Sequence, residues 1–145
     1  MIADANAIGD LNRASEHGKP VLDWLDRGNG VLIVGGRLTE ELGRSEKLMT
    51  YLAGFNRAGR KKLRALNDEA VRIRTEKLRR ANVCHSDDPH IVALIQMSKC
   101  ELIFSRDRNL HKDVQNRHLL DHGVSIYQCK DHDHLLTECN CGVQG

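Results

Sequence analysis

Aromatic side chains are scarce, at 3% of 145 residues. The core therefore has to be filled mainly by Leu, Ile, Val and Ala. Long apolar runs are absent too: none, Val31 to Val34 included, comes near the roughly 20 residues of a membrane helix. The opening Met1-Ile2-Ala3-Asp4 lacks the basic region and apolar stretch of a signal peptide. Five cysteines are an odd number, and only Cys139 and Cys141 sit close together, which speaks against a disulfide framework. Reduced thiols and a cytoplasmic location are the expectation. Neither charge sign dominates, since 22 Lys and Arg against 20 Asp and Glu leave a net +2. Net charge by itself thus points to no nucleic-acid partner; its distribution has to do so.

What is present is the composition of one soluble domain, 40% hydrophobic and 29% charged, without repeats or low-complexity tracts. The apolar runs Met1 to Ala3, Val31 to Val34 and Leu102 to Phe104 read as buried parallel strands, with Val124 to Tyr127 a weaker fourth. Helical stretches separate them, giving the alternation of an α/β domain. After the second strand, Leu38, Leu42, Ser45, Met49 and Leu52 recur on one helical face. Arg57 to Ala81 is helical in composition, with a break and fresh N-cap at Asn67. A further helix opens at Asp88-Pro89, with Asp88 as cap and an apolar body from Ile91 to Met97. The domain is expected to span residues 1–130, with a polar C-terminal tail over 131–145.

The acidic residues fall in informative places. Ligands of an open parallel sheet sit outside the carboxyl ends of its strands. Asp4 ends the first apolar run, and Asp107 follows the run Leu102 to Phe104 after Ser105 and Arg106. Asp88 opens the helix leading into that strand, where the helix dipole favours its charge. With Leu38 as origin, Glu41 lies about 60° away and Glu40 about 160° away at 100° per residue, so Glu41 faces inward and Glu40 outward. A carboxylate on an apolar face needs a partner, and several converging carboxylates repel unless a cation neutralises them. Taken singly, each of these acids is most simply a cap or turn residue. Four of them at the place where an α/β active site belongs make a pattern.

The stretches Met1-Ile2-Ala3-Asp4-Ala5-Asn6, Leu38-Thr39-Glu40-Glu41-Leu42, Ser86-Asp87-Asp88-Pro89-His90-Ile91-Val92-Ala93-Leu94 and Leu102-Ile103-Phe104-Ser105-Arg106-Asp107-Arg108-Asn109-Leu110 carry a further reading. In that order they resemble the PIN domains, small magnesium- or manganese-dependent ribonucleases that include many toxins of bacterial toxin–antitoxin pairs. Each motif alone is degenerate, and the ordered set is the specific feature. The resemblance implies a three-layer α/β/α sandwich with a mainly parallel central sheet. It implies a Mg²⁺ or Mn²⁺ site built from Asp4, Glu41, Asp88 and Asp107, supported by Ser105 and Asn6. It implies an RNA substrate and an antitoxin or other protein inhibitor as partner, and it allows a homodimer. The chain departs from many toxin-type members at Leu110, where they carry another acid; Asp113 lies further along.

Metal-assisted phosphodiester hydrolysis needs no nucleophilic side chain, and no Ser/His/Asp arrangement with supporting spacing is present. Gly35-Gly36 lacks the other glycines and the Lys of a phosphate loop and reads as a tight strand-to-helix turn. A phosphatase of the common kind would carry Asp two residues after Asp4, where Asn6 stands. From Arg57 to Arg80 ten Lys and Arg face only Asp68, Glu69 and Glu76. On a single helix Lys61, Arg72 and Arg79 would share one face suited to a phosphate backbone, the plainer reading being a solvated helical face. Base stacking would be sparse, leaving backbone and shape. A non-catalytic module binding RNA or a protein is the competing function. Near the end, His132 and His134, and Cys139 and Cys141, are each spaced by one residue, not by the two to four of structural zinc. They read as part of a polar tail. His90, His111, His118 and His122 read as surface or helix-end residues.

Overall fold

Strands buried on both faces have no need of polar alternation, and the apolar runs fold accordingly. In the computed structural model, which describes residues 1–138, the chain forms β1 (Ile2–Ala3), α1 (Ala5–Arg13), α2 (Lys19–Arg27), β2 (Leu32–Val34), α3 (Arg37–Gly43) and α4 (Glu46–Arg57). It continues through β3 (Leu63–Ala65), α5 (Asp68–Ala81), α6 (Pro89–Ser98), β4 (Leu102–Phe104), α7 (Arg108–Val114), β5 (Ser125–Tyr127), a short 3₁₀ turn and α8 (Leu135–Glu138). Every residue of β1, β2 and β4 is buried.

All strand pairs are parallel: β1 with β4, β4 with β5, and β2 with β3. The two sets are stitched by the Met1 ammonium donating to the Val31 carbonyl at 2.8 Å and the Ile33 N–H donating to the Met1 carbonyl at 2.9 Å. The order across the molecule is therefore β3-β2-β1-β4-β5. Connections run outward to opposite sides of β1 and β4, which makes the gap between their carboxyl ends the switch point where α/β sheets bind ligands. The α/β class and parallel sheet match the expectation, and helices flanking such a sheet are compatible with a three-layer sandwich. The helix α6 is buried from Pro89 to Ile95 and packs on α5. Among the described residues, no helix is long and apolar enough to cross a membrane.

The structure corrects several expectations. The basic stretch is no continuous helix, because Leu63–Ala65 forms the edge strand β3 on β2. Asn67 does cap α5, its side chain accepting from the Ala70 N–H at 2.9 Å. The helix after β2 is broken between Gly43 and Glu46, which turns Met49 outward while Leu38, Leu42, Leu48 and Leu52 stay buried. The polar stretch from residue 131 packs back in its first part, since Leu136 is buried and α8 rests on α2. Cys84 and Cys129 are free thiols; Cys139 and Cys141, and the zinc question they raise, lie outside the described residues.

Candidate functional site

The ladder between β1 and β4 runs one step past the strands, the Asp4 N–H donating to the Phe104 carbonyl at 3.2 Å. That bond fixes Asp4 at the carboxyl end of β1. Its side chain caps α1, Oδ1 accepting from the Ala7 N–H at 2.9 Å, and it also takes the Ser105 hydroxyl. Ser105, buried at the end of β4, in turn accepts from the Asp107 N–H at 3.0 Å. Asp107 caps α7 through Oδ1 alone, accepting from Asn109 and Leu110. Ser105 thus joins two acids that are distant in the chain. Asn6 stands exposed at the rim of a cleft that Asp4 and Asp107 also line.

Asp88 and Glu41 approach from the helices. Asp88 occupies the N-cap position of α6, yet its carboxylate makes no capping bond. The cap role expected of it is not performed. Its N–H donates to the Ser86 hydroxyl at 2.9 Å, and the loop is held by Asp113, whose two oxygens accept from His85 and Ser86 at 2.7 and 2.9 Å. Asp113 is fully buried and committed to that loop, so it does not join the other acids, while Leu110 is a core residue. Glu41 and Glu40 separate as the helix geometry requires: Glu40 reaches Arg72 across exposed surface at 3.0 Å, whereas the Glu41 side chain is 14% exposed. Arg37 stands 3.5 Å from Glu41 Oε1, but Glu41 Oε2 is buried with no hydrogen-bond partner.

The four carboxylates feel one another. Burial raises the pKa of Asp4, and the charges of Asp88 and Asp107 raise it further, against the bonds from Ser105 and Ala7. Burial likewise raises Glu41, opposed by Arg37 and reinforced by Asp88 and Asp4. Asp88 is raised by burial and by Asp107. Desolvation and like-charge repulsion thus press on one small region. Even so, among the described residues no three His, Cys, Asp or Glu side chains are gathered tightly enough to hold a metal ion as they stand. Uncompensated carboxylates resist close approach, which accounts for a cluster that is assembled but open.

Of the histidines expected at the surface or at helix ends, His118 is exposed and His90 stands in the first turn of α6. His90 is buried with Nε2 unpartnered, and burial together with Arg37 and Arg79 pushes its pKa down to about 4. His111 and His122 bond to the carbonyls of Ser105 and Cys100 at 2.9 and 2.8 Å. The expected basic face does not form. Lys61 sits in the loop before β3, whereas Arg72 and Arg79 lie on α5, paired with Glu40 and Glu76.

A cleft of about 550 Å³ opens between α1 and the end of β4, lined by Asp4, Asn6, Gly9, Asp10, Arg13, Arg106 and Asp107 among others. Asp10, Arg13 and Arg106 were not singled out by sequence reasoning. The signal for Asp10 was there, since it follows Ala7 and precedes Leu11 on the buried face of α1. Asp113, between Leu110 and Val114, has the same signature on α7. No protein-family model, curated protein or solved structure matches the chain.

Proposed function

We propose that the chain is a metal-dependent endoribonuclease of PIN type, a three-layer α/β/α sandwich whose Asp4, Glu41, Asp88 and Asp107 hold Mg²⁺ or Mn²⁺. One observation carries the reading: carboxylates from four segments remote in sequence lie near enough at the sheet's switch point to feel one another's charge, and one of them, Glu41, keeps a buried oxygen without a partner. An unpaired buried carboxylate oxygen is costly unless a cation answers it. The donors are all hard oxygens, which suits Mg²⁺ or Mn²⁺ rather than a softer metal. When bound, such an ion acidifies coordinated water and offsets charge on the phosphate.

The chain's own residues set this up. Ser105 and the Ala7 N–H orient Asp4, and Ser105 positions the backbone of Asp107. Asp113 fixes the loop from which Asp88 projects with its carboxylate unspent on capping. Arg37 steadies one oxygen of Glu41 and leaves the other for the ion. RNA as substrate and an antitoxin or other inhibitor as partner are drawn from the PIN resemblance alone, and the cytoplasmic setting from the cysteine usage.

The competing reading is a PIN-like module that binds RNA or a protein without cutting it. Labelled RNA and DNA incubated with Mg²⁺, Mn²⁺ or EDTA decide between the two. Cleavage that requires either ion and fails in Asp4→Asn and Asp107→Asn is the expected outcome. Full metal-dependent cleavage in either variant would end the nuclease assignment, and binding without cleavage under every condition would support the second reading.

A further inference from the structure

The proposed nuclease has acids to hold an ion, but its expected cationic face does not exist, because Lys61 lies in the loop before β3 while Arg72 and Arg79 lie on α5. The cleft beside Asp4 and Asp107 supplies an alternative. Asp10, whose side chain is 5% exposed, accepts from Arg13 and from Ser15 through Oδ1, at 3.1 and 3.0 Å, and from Arg106 through Oδ2. Arg13 comes from the last turn of α1 and Arg106 from the loop between Ser105 and Asp107. One buried carboxylate therefore anchors two guanidinium groups at the wall of the cleft that Asp4 and Asp107 also line.

Each guanidinium gives Asp10 a single terminal nitrogen, and the side chains remain 66% and 45% exposed for Arg13 and Arg106. Nε and the other terminal nitrogen stay available as donors, in the fork geometry that matches a phosphate. An arginine pinned at one edge loses less rotamer freedom when it binds than a free one does. Gly9 leaves room for one of them, since a Cβ there would meet the Arg13 guanidinium at 3.0 Å.

We infer that Arg13 and Arg106, braced by Asp10, form a phosphate clamp that holds the backbone of a single-stranded nucleic acid in this cleft, next to the proposed cleavage site. The direction of the strand past Asp4 and Asp107 rests on the nuclease reading, but the clamp itself works by binding alone. Arg106 is adjacent to Asp107 in the chain, so clamp and acids keep a fixed separation.

Binding is read by fluorescence anisotropy of labelled single-stranded RNA and DNA of one sequence, with the full chain carrying Asp107→Asn, in EDTA and across a range of salt. Each lost phosphate contact should reduce the log–log salt slope by about 0.7. Arg13→Gln and Arg106→Gln should each do this and weaken binding several-fold, while the Arg72→Gln, Arg79→Gln pair should leave both quantities unchanged. Arg106→Gln leaves Asp10 paired with Arg13 and Ser15, and Arg13→Gln changes an exposed side chain, so at least one variant stays folded. Arg106→Lys keeps the charge without the fork, and its affinity should fall with the slope retained. An unchanged slope in both Gln variants, wild-type affinity in Arg106→Lys, or no binding of either nucleic acid would overturn the clamp. Loss of binding in the Gln variants of a protein that never cleaves would uphold the clamp and sink the nuclease reading. Cleavage by a protein whose binding ignores both arginines would do the reverse.

Discussion

His90 refuses a proton that the unfolded chain accepts. Its pKa is about 4 in the fold, chiefly because it is buried, against the usual 6.5. Between these values the unfolded state binds more protons than the native one, so stability is complete above pH 6.5 and drains away as pH falls toward 4. The full difference corresponds to about 3 kcal/mol. Nε2 has no partner to lose and Nδ1 only a 4.0 Å approach to Asp88 Oδ1, so His90→Leu should keep the fold and flatten the acid limb by about one proton. Urea midpoints of both proteins from pH 4 to pH 7.5 give the comparison, and parallel curves would mean that His90 already titrates normally. At this scale the sequence spoke clearly wherever a residue's neighbours along the chain set its role. Asp4 and Asp107 could be found because each closely follows an apolar run. Arg106 could not, since its partner Asp10 stands 96 residues away and only the fold brings them together.

Among the elements, legibility followed burial. The strands β1, β2 and β4 are covered on both faces and read as uninterrupted apolar runs. β3, Leu63-Arg64-Ala65, is half exposed at the sheet edge and embedded in basic sequence, so nothing in its composition separates it from a helix. The break before α4 was hidden for a related reason: the apolar spacing carries on through Ser45 while the backbone does not, and Ser45 bonds back to the Glu41 carbonyl at 3.3 Å. The join between α7 and the loop ahead of α6 is testable. Asp113→Ala strands the His85 and Ser86 N–H groups, and two charge-assisted bonds lost in a buried setting should cost about 3 kcal/mol. Asp113→Asn, which keeps an acceptor, should cost less. Both should impair cleavage beyond their effect on the folded fraction, because the loop they release carries Asp88. Denaturant midpoints together with activity at a temperature where each variant is folded make the check, and normal activity in a destabilised Asp113→Ala protein would confine Asp113 to stability.

Across the whole molecule, the carboxyl edge of the sheet is held at some cost in stability. Asp4, Glu41 and Asp88 are all disfavoured as anions there, by burial first and by one another second. For the metal-free protein this has a definite sign: acids with raised native pKa values hold protons that the unfolded chain has released, so their contribution weakens as pH rises above the ordinary carboxylate range. Removing one charge should therefore stabilise the protein while disabling it. Asp88→Asn is the cleanest case, since the carboxylate makes no capping bond and Asn is a good cap residue. In EDTA its melting temperature should exceed that of wild type by about 2 °C. Mn²⁺ should then reverse the ranking. At a hundredfold excess over its dissociation constant, an ion bound only by the native state adds about 2.7 kcal/mol, a gain the variant forfeits. Glu40→Gln is the control, because its partner Arg72 faces solvent and its charge lies outside the cluster. It should respond to Mn²⁺ as wild type does. A double change at Asp4 and Asp107 should cost little more activity than either alone, as expected of groups acting on one centre. If Asp88→Asn instead melts below wild type in EDTA and gains equally from Mn²⁺, then the acids are structural and the edge of the sheet holds no shared ion.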